Sequence, residues 1–277
     1  MAYSPCTVAL LLALTPALGA LGVDPAPPKA KPIAEVEAPD GARKLFPYIR
    51  IHTQERWLEF DGFVPIDVND PDAPHVYLEQ VACGRESAEI PAGKEHESLV
   101  ATSAKGSHIH AGLMLLGHEP GAPVRWSTAE DGSIISHPPT GPKVAIELRW
   151  KDKDGQHHVH SPQEWIRHVE TGEPFADGNW VFSGSLFVTF RNTEVYDADR
   201  SGTLIGLASF GTEVLSWMKP IHHESGIEQP VWIARNEIVP EFRTPVTVRI
   251  VLLDEAADES VESTSDAADS DQSRNPD

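Results

Sequence analysis

KVAIELRWKDKDGQHHVH, residues 143–160, alternates apolar and polar side chains as far as Trp150, turns at Asp154-Gly155, and resumes through Gln156 to His160. A period of two puts alternate side chains on opposite faces of a strand, and Asp-Gly is a strong short-range hairpin signal. The stretch therefore predicts an antiparallel hairpin with one face buried.

The same pattern recurs on both sides of this hairpin. Ile49 and Ile51, then Trp57, Leu58, Phe60, Phe63, Val64 and Ile66, predict two short strands, with Asp61-Gly62 as a turn or bulge between apolar pieces. Residues 75–83 (HVYLEQVAC), 180–190 (WVFSGSLFVTF), 203–209 and 246–253 (VTVRIVLL) read as further strands. Helices are fewer. Residues 107–117 (SHIHAGLMLLG) predict one, with Ser107 as N-cap, Gly117 as the left-handed residue after its end, and Pro120 forbidding continuation. Ser161-Pro162-Gln163-Glu164 is a capping box that predicts a second, running through Trp165, Ile166 and Val169 to Gly172. Strands outnumber helices without alternating with them. The fold class is α+β: a largely antiparallel β-sheet with a few short helices in a single globular domain.

The ends read differently. Residues 7–22 (TVALLLALTPALGALG) have the length of a signal-peptide apolar core, with small residues at Ala17, Gly19 and Ala20 for cleavage, so residues 1–22 are expected to direct export and be removed. Residues 23–47 are rich in Pro, Ala, Lys and Glu and read as a linker. The globular domain is expected over residues 48–253. Residues 254–277 hold nine acids and one base, net −8, and should form a disordered acidic tail. The rest of the chain then carries −12 of the formal −20. Such an acidic body, with no basic patch, disfavours nucleic acid. No transmembrane span is expected after signal cleavage, and the location is periplasmic or secreted.

Cleavage would remove Cys6 and leave Cys83 as the one thiol, which excludes an intramolecular disulfide. The densest set of chemically versatile side chains follows it: Cys83, Glu95, His96, Glu97, His108, His110 and His118. These types bind zinc and similar divalent metals, and a thiolate beside an imidazole is also a nucleophile–base pair. His108 and His110 face nearly opposite sides of a helix and can share a metal only outside one. Cys83, His96, His110 and His108 are the candidate metal ligands. Asp197, Asp199 and Ser201, with Gly202 next, match the opening of a calcium loop, but Ala208 stands where a bidentate Glu is needed. A tight turn explains the same residues. His158 and His160 share a strand face and can chelate, although a solvated hairpin edge accounts for them and His157 equally. His222-His223-Glu224 reads as a solvent-facing loop. No nucleophile elbow, phosphate loop, metalloprotease or dinucleotide motif occurs, and no cofactor is assigned.

Several pieces together resemble the YdjY-type domain of exported proteins from planctomycete-like bacteria. They are Cys83-Gly84, KEHESL at 94–99, SHIHAGL at 107–113, GHEPG at 117–121, WVFSGS at 180–185, YDAD at 196–199 and IGLASFG at 205–211. The resemblance spans roughly residues 49–253 and implies a common role for the Cys83, His96, His108 and His110 region, without an activity. It also carries a ferredoxin-like label, which this chain does not follow: a 4Fe–4S cluster usually takes four thiolates. The expectation is an exported, non-catalytic binding or structural domain of the cell envelope, with an envelope or extracellular partner. The alternative is a metal-binding protein or hydrolase built on the Cys/His set.

Overall fold

Two segments far apart in the chain, 57–63 and 245–252, lie side by side and organise everything else. The computed structural model describes residues 36–70, 72–87, 90 and 93–253, all within one compact unit. The expected signal peptide, the first part of the linker (23–35) and the acidic tail lie outside the described residues.

In chain order the strands begin with β1 (Arg43–Phe46), β2 (Ile49–His52), β3 (Trp57–Phe63), β4 (Gln80–Gly84) and β5 (Ser98–Thr102). After helix α1 (Gly106–Leu115) come β6 (Arg125–Thr128), β7 (Ile134–His137), β8 (Lys143–Lys151), β9 (His157–His160) and β10 (Ile166–His168). Then follow β11 (Trp180–Val181), β12 (Phe187–Phe190), β13 (Thr193–Tyr196), helix α2 (Asp197–Ser201), β14 (Thr203–Gly206), β15 (Ser216–Trp217), β16 (Trp232–Ala234) and β17 (Pro245–Leu252). The main sheet runs β14-β4-β5-β3-β17-β8-β11-β15, with β2 and β9 pairing to β3 and β8 and β1 pairing to β2. Every ladder between these strands is antiparallel except β4 with β5. The path bends back on itself. Ile205 and Leu215 form a parallel bridge, and the Gly206 N–H donates to the Leu215 carbonyl at 2.9 Å, so the outer strands β14 and β15 meet. Trp180 on β11 reaches the same edge: its Nε1–H donates to the Gly206 carbonyl at 2.8 Å.

One sheet face is the core. Val246, Val248, Ile250 and Leu252 of β17 lie in register with Leu58 and Phe60 of β3 and with Val144, Ile146 and Leu148 of β8, all buried. Helix α1 packs on this face with Gly106, Ile109, Gly112 and Leu113 turned inward. Gly112 lets it close on β3, since a Cβ there would come within 2.3 Å of the Leu58 Cδ1.

The hairpin read from residues 143–160 forms as predicted, as β8 and β9. Other expectations are corrected. Asp61-Gly62 is not a turn: both residues lie inside β3, where Asp61 is paired with Arg50. The end of the expected linker is structured, since residues 43–46 form β1. The capping box at Ser161 forms but opens a single 3-10 turn, Pro162–Trp165. Ile166 then turns extended, because β10 finds a partner strand in β16 and buries Ile166 there. Residues 180–190 are two strands, broken where Gly184 takes φ +69°. Gly117 is left-handed as expected, φ +92°. Ser107, however, is inside α1 and not its cap. Its N–H and Oγ–H both donate to the Asp199 carboxylate, at 2.9 and 2.6 Å, so α2 supplies the cap of α1 from a distance.

A carboxylate that satisfies a first-turn N–H stabilises a helix by about 1 kcal/mol. Asp199→Ala should lower the unfolding free energy by about that amount and Asp199→Asn by less, read from urea denaturation followed by circular dichroism.

Candidate functional site

Cys83 ends up deep in β4, fully buried. Burial pushes its thiol up to about 12, against a smaller opposing pull from the Ser98 side chain. The thiolate is the reactive form of cysteine, and burial disfavours it here. His96 stands on the 3-10 turn Glu95–Glu97 with its side chain 77% exposed, 3.6 Å from Glu97. His108 stacks on Phe46 at 4.2 Å between ring centroids. His110 faces the other way, against the edges of Phe182 and Tyr196. Its Nδ1 lies 2.7 Å from the Tyr196 hydroxyl, and that hydroxyl accepts the Ser185 N–H at 2.9 Å. The four expected ligands are thus not brought together. Among the described residues, no group of three or more His, Cys, Asp or Glu side chains is placed to hold a metal ion.

The calcium-loop residues have other engagements. Asp197–Ser201 is helix α2, and left-handed Gly202 ends it. Asp197 holds the Arg200 guanidinium, with Nε at 2.8 Å; Asp199 caps α1; Ser201 Oγ–H donates to the Asp197 carbonyl at 2.8 Å. His158 and His160 share a face as expected, but both pack on the Trp150 indole, and His158 also bonds Asp152.

His222-His223 departs from its expected solvent-facing loop. The two rings stack at 4.9 Å, His222 is buried against Trp126, and His223 lies on Phe210, which also carries the Lys94 ammonium 4.3 Å above its ring. Lys94 in turn sits 2.8 Å from Glu97 and 3.6 Å from Glu79. Burial, and then the neighbouring Glu97, hold the Glu79 carboxyl above the usual carboxylate range. The histidines and Glu79 border a cavity of about 40 Å³. That is room for a water or two, far below the ~300 Å³ of a typical ligand pocket.

A larger recess lies on the sheet face away from α1. Here the register places Arg50 of β2 opposite Glu59 of β3, Glu59 opposite Arg249 of β17, and Arg249 opposite Glu147 of β8. One row of the sheet thus alternates in sign across four strands, an arrangement in which cross-strand neighbours attract. Arg249 bonds Glu59 at 2.7 Å and covers the Trp57 ring at 4.0 Å. Arg50 binds Asp61 through two parallel bonds of 2.7 Å, with both side chains almost wholly buried. Residues 36–39 border them as a strap, with the Val36 backbone hydrogen-bonded to both side chains. The next positions are less balanced. Arg149 lies opposite Thr247, and Lys151 lies opposite His157. Between Lys151 and the strap runs a groove of about 450 Å³, lined also by the carboxylates of Glu37, Glu59 and Asp61. The signal for it was in the sequence: charged residues interleave with apolar ones in Ile49-Arg50-Ile51 and Leu58-Glu59-Phe60-Asp61. A charge at every second position of a buried strand marks a second covered face, not a solvated one.

Residues 68–251 match the family model described as the YdjY domain. No curated protein and no solved structure matches the chain. The folded unit is wider than the matched residues, since β1, β2 and β3 precede them and β3 pairs with β17.

Two outcomes follow from the buried groups. Iodoacetamide at pH 8 should leave Cys83 unmodified in the native protein and label it fully in urea, as mapped by peptide mass spectrometry. Burial also holds the His108 and His110 imidazoles below their ordinary pKa. The unfolded chain therefore takes up these protons first. Their contribution is fully present above about pH 6.5 and is lost as pH falls through the lowered native values. The raised Glu79 and Glu213 carboxyls act in the opposite direction over the same range, so the histidine contribution is read as a difference: between pH 7.5 and pH 5 the urea midpoint of the unaltered protein should lose ground relative to that of His110→Gln.

Proposed function

The chain belongs to the YdjY domain family, and from that premise we propose that it is a non-catalytic binding domain of the cell envelope whose ligand enters the groove on the charged sheet face. The observation that carries this reading is the groove itself. At about 450 Å³ it has the capacity of a ligand site. Its polar walls are held rigid by the Arg50–Asp61 and Arg249–Glu59 pairs. A site fixed on strands presents its groups in a defined geometry. The hydrolytic alternative needs Cys83 as a thiolate within reach of an imidazole, and its burial works against that. The envelope assignment rests on the export signal read in residues 1–22.

The test is co-sedimentation of the purified protein with isolated envelopes of the producing cells. Cys83→Ala should sediment as the unaltered protein does, and Arg149→Glu/Lys151→Glu severalfold less. Loss with Cys83→Ala, or no change with the double charge reversal, would overturn the proposal.

A further inference from the structure

The ribbon β12–β13 is a two-stranded sheet of its own, apart from the main sheet. Such a ribbon is marginally stable by itself, and this one turns apolar side chains to water. Leu186, just before β12, and Phe187 and Phe190 within it are 48%, 67% and 43% exposed. The register with β13 is unbroken from Phe187–Tyr196 to Phe190–Thr193, so β12 has no bulge. It has no Lys or Pro either. Those are the devices that keep an edge from pairing with another chain. The stretch is also free of carboxylates: no Asp or Glu occurs between Asp177 and Glu194, in a chain of formal charge −20. The hairpin β6–β7 differs, with Glu130-Asp131 in its turn. The backbone of β12 determines which groups are on offer. The Asp197 N–H donates to the Leu186 carbonyl at 2.8 Å. Antiparallel ladders alternate, so Leu186, Val188 and Phe190 turn their N–H and C=O groups to β13, while Phe187 and Thr189 turn theirs outward. No strand pairs with that outer edge among the described residues.

We propose that two copies of the chain pair edge to edge through β12, antiparallel about a twofold axis at Val188, to make one four-stranded sheet. Phe187 and Thr189 of one copy then exchange N–H···O=C bonds with Thr189 and Phe187 of the other. The register is self-complementary. On one face Leu186 meets Phe190 of the second copy and Val188 meets Val188; on the other, Phe187 flanks Thr189. The charges agree with it. The rotation carries Arg191, at the tip of one ribbon, towards the base of the other, where Asp197 and Asp199 begin α2. The acid within the ribbon, Glu194, is on β13, one strand back from the seam. Two Phe and one Leu per copy, already half covered, bury well under the ~1,600 Å² of a standard interface. The dimer is therefore weak and set by concentration. None of these residues lines the groove on the charged face, so the pairing stands or falls separately from ligand binding there.

The test is sedimentation equilibrium of the full chain. The expected result is a reversible dimer forming between about 1 μM and about 1 mM protein. Thr189→Pro removes an outward N–H that the ribbon's own ladder does not use. It should weaken dimerisation at least tenfold and leave the urea midpoint unchanged. A second measurement reads the register. At the axis the two Val188 Cα atoms would stand about 4.5 Å apart, within disulfide range. Val188→Cys should therefore form a disulfide-linked dimer under mild oxidation at least tenfold faster than Glu194→Cys, with the unaltered chain as the baseline for Cys6 and Cys83. If Thr189→Pro lowers the midpoint, the cross-link decides alone. A monomer up to about 1 mM, a dimer indifferent to Thr189→Pro, or equal cross-linking of the two cysteine variants would each overturn the pairing. So would flotation with phosphatidylcholine vesicles by a chain that stays monomeric, since the exposed Phe side chains would then belong to a lipid surface.

Discussion

The last strand of the described chain occupies the middle of the sheet. β17 pairs along its whole length with β3 on one side and β8 on the other. Those neighbours lie about 190 and about 100 residues earlier, by the positions of Glu59, Glu147 and Arg249 in the register. Without β17, β3 and β8 would each expose an unpaired edge, and a buried edge with unmet N–H and C=O groups is costly. Its alternation serves two faces at once: Val246, Val248, Ile250 and Leu252 complete the core, while Arg249 joins the row of charges. The sheet is therefore assembled from contacts of long sequence separation, which is the kind of topology that folds slowly.

The second structural commitment is a buried carboxylate. Glu213 is fully buried and has no cationic partner among the described residues, yet three donors meet it. The N–H groups of Phe210 and Thr212 reach Oε2 at 3.2 and 3.0 Å, and the Ser216 hydroxyl reaches Oε1 at 3.0 Å. Burial raises its pKa, and those donors oppose the shift. Ser216 continues to Ser183 at 2.7 Å. The loop from Ser209 to Glu213 thereby becomes part of the sheet closure at Ile205 and Leu215. A carboxylate in that position satisfies backbone groups that the bend leaves without strand partners.

What could be read in the sequence was local and periodic. Residues 143–160 were legible because a period of two and one Asp-Gly turn determine strand, turn and face together, and 246–253 because a near-continuous apolar run of that length is a strand. Ser161 to Glu164 fixed where a helical turn begins, but nothing in a capping box fixes its length. Ile166 went to the partner strand β16, which is more than sixty residues away and invisible to a local window. Residues 180–190 read as one strand with a bulge at Gly184, and the glycine marks a full break between two strands, since a single glycine does not report how far the chain turns. The Cys/His set was misleading for a related reason. Closeness along the chain was taken as closeness in space, whereas β4 turns Cys83 inward, the 95–97 turn holds His96 outward, and α1 sends His108 and His110 to different neighbours. The residues that do converge, Arg50, Asp61, Glu59 and Arg249, come from three strands spread over two hundred positions.

A buried ion pair is a poor device for stability alone. Its desolvation roughly cancels its attraction, and apolar residues of similar volume often serve as well. Arg50 and Asp61 make sense for a different reason. Two apolar side chains could cover the sheet, but they would give the crossing strap no fixed position, because hydrophobic contact is non-directional. The guanidinium and carboxylate each keep a bond to spare after meeting each other, and both bonds go to Val36. Removing either partner would leave the other charge buried and the strap without its anchor. The pair is thus better understood as a fixture for the backbone at Val36 than as a clamp between strands.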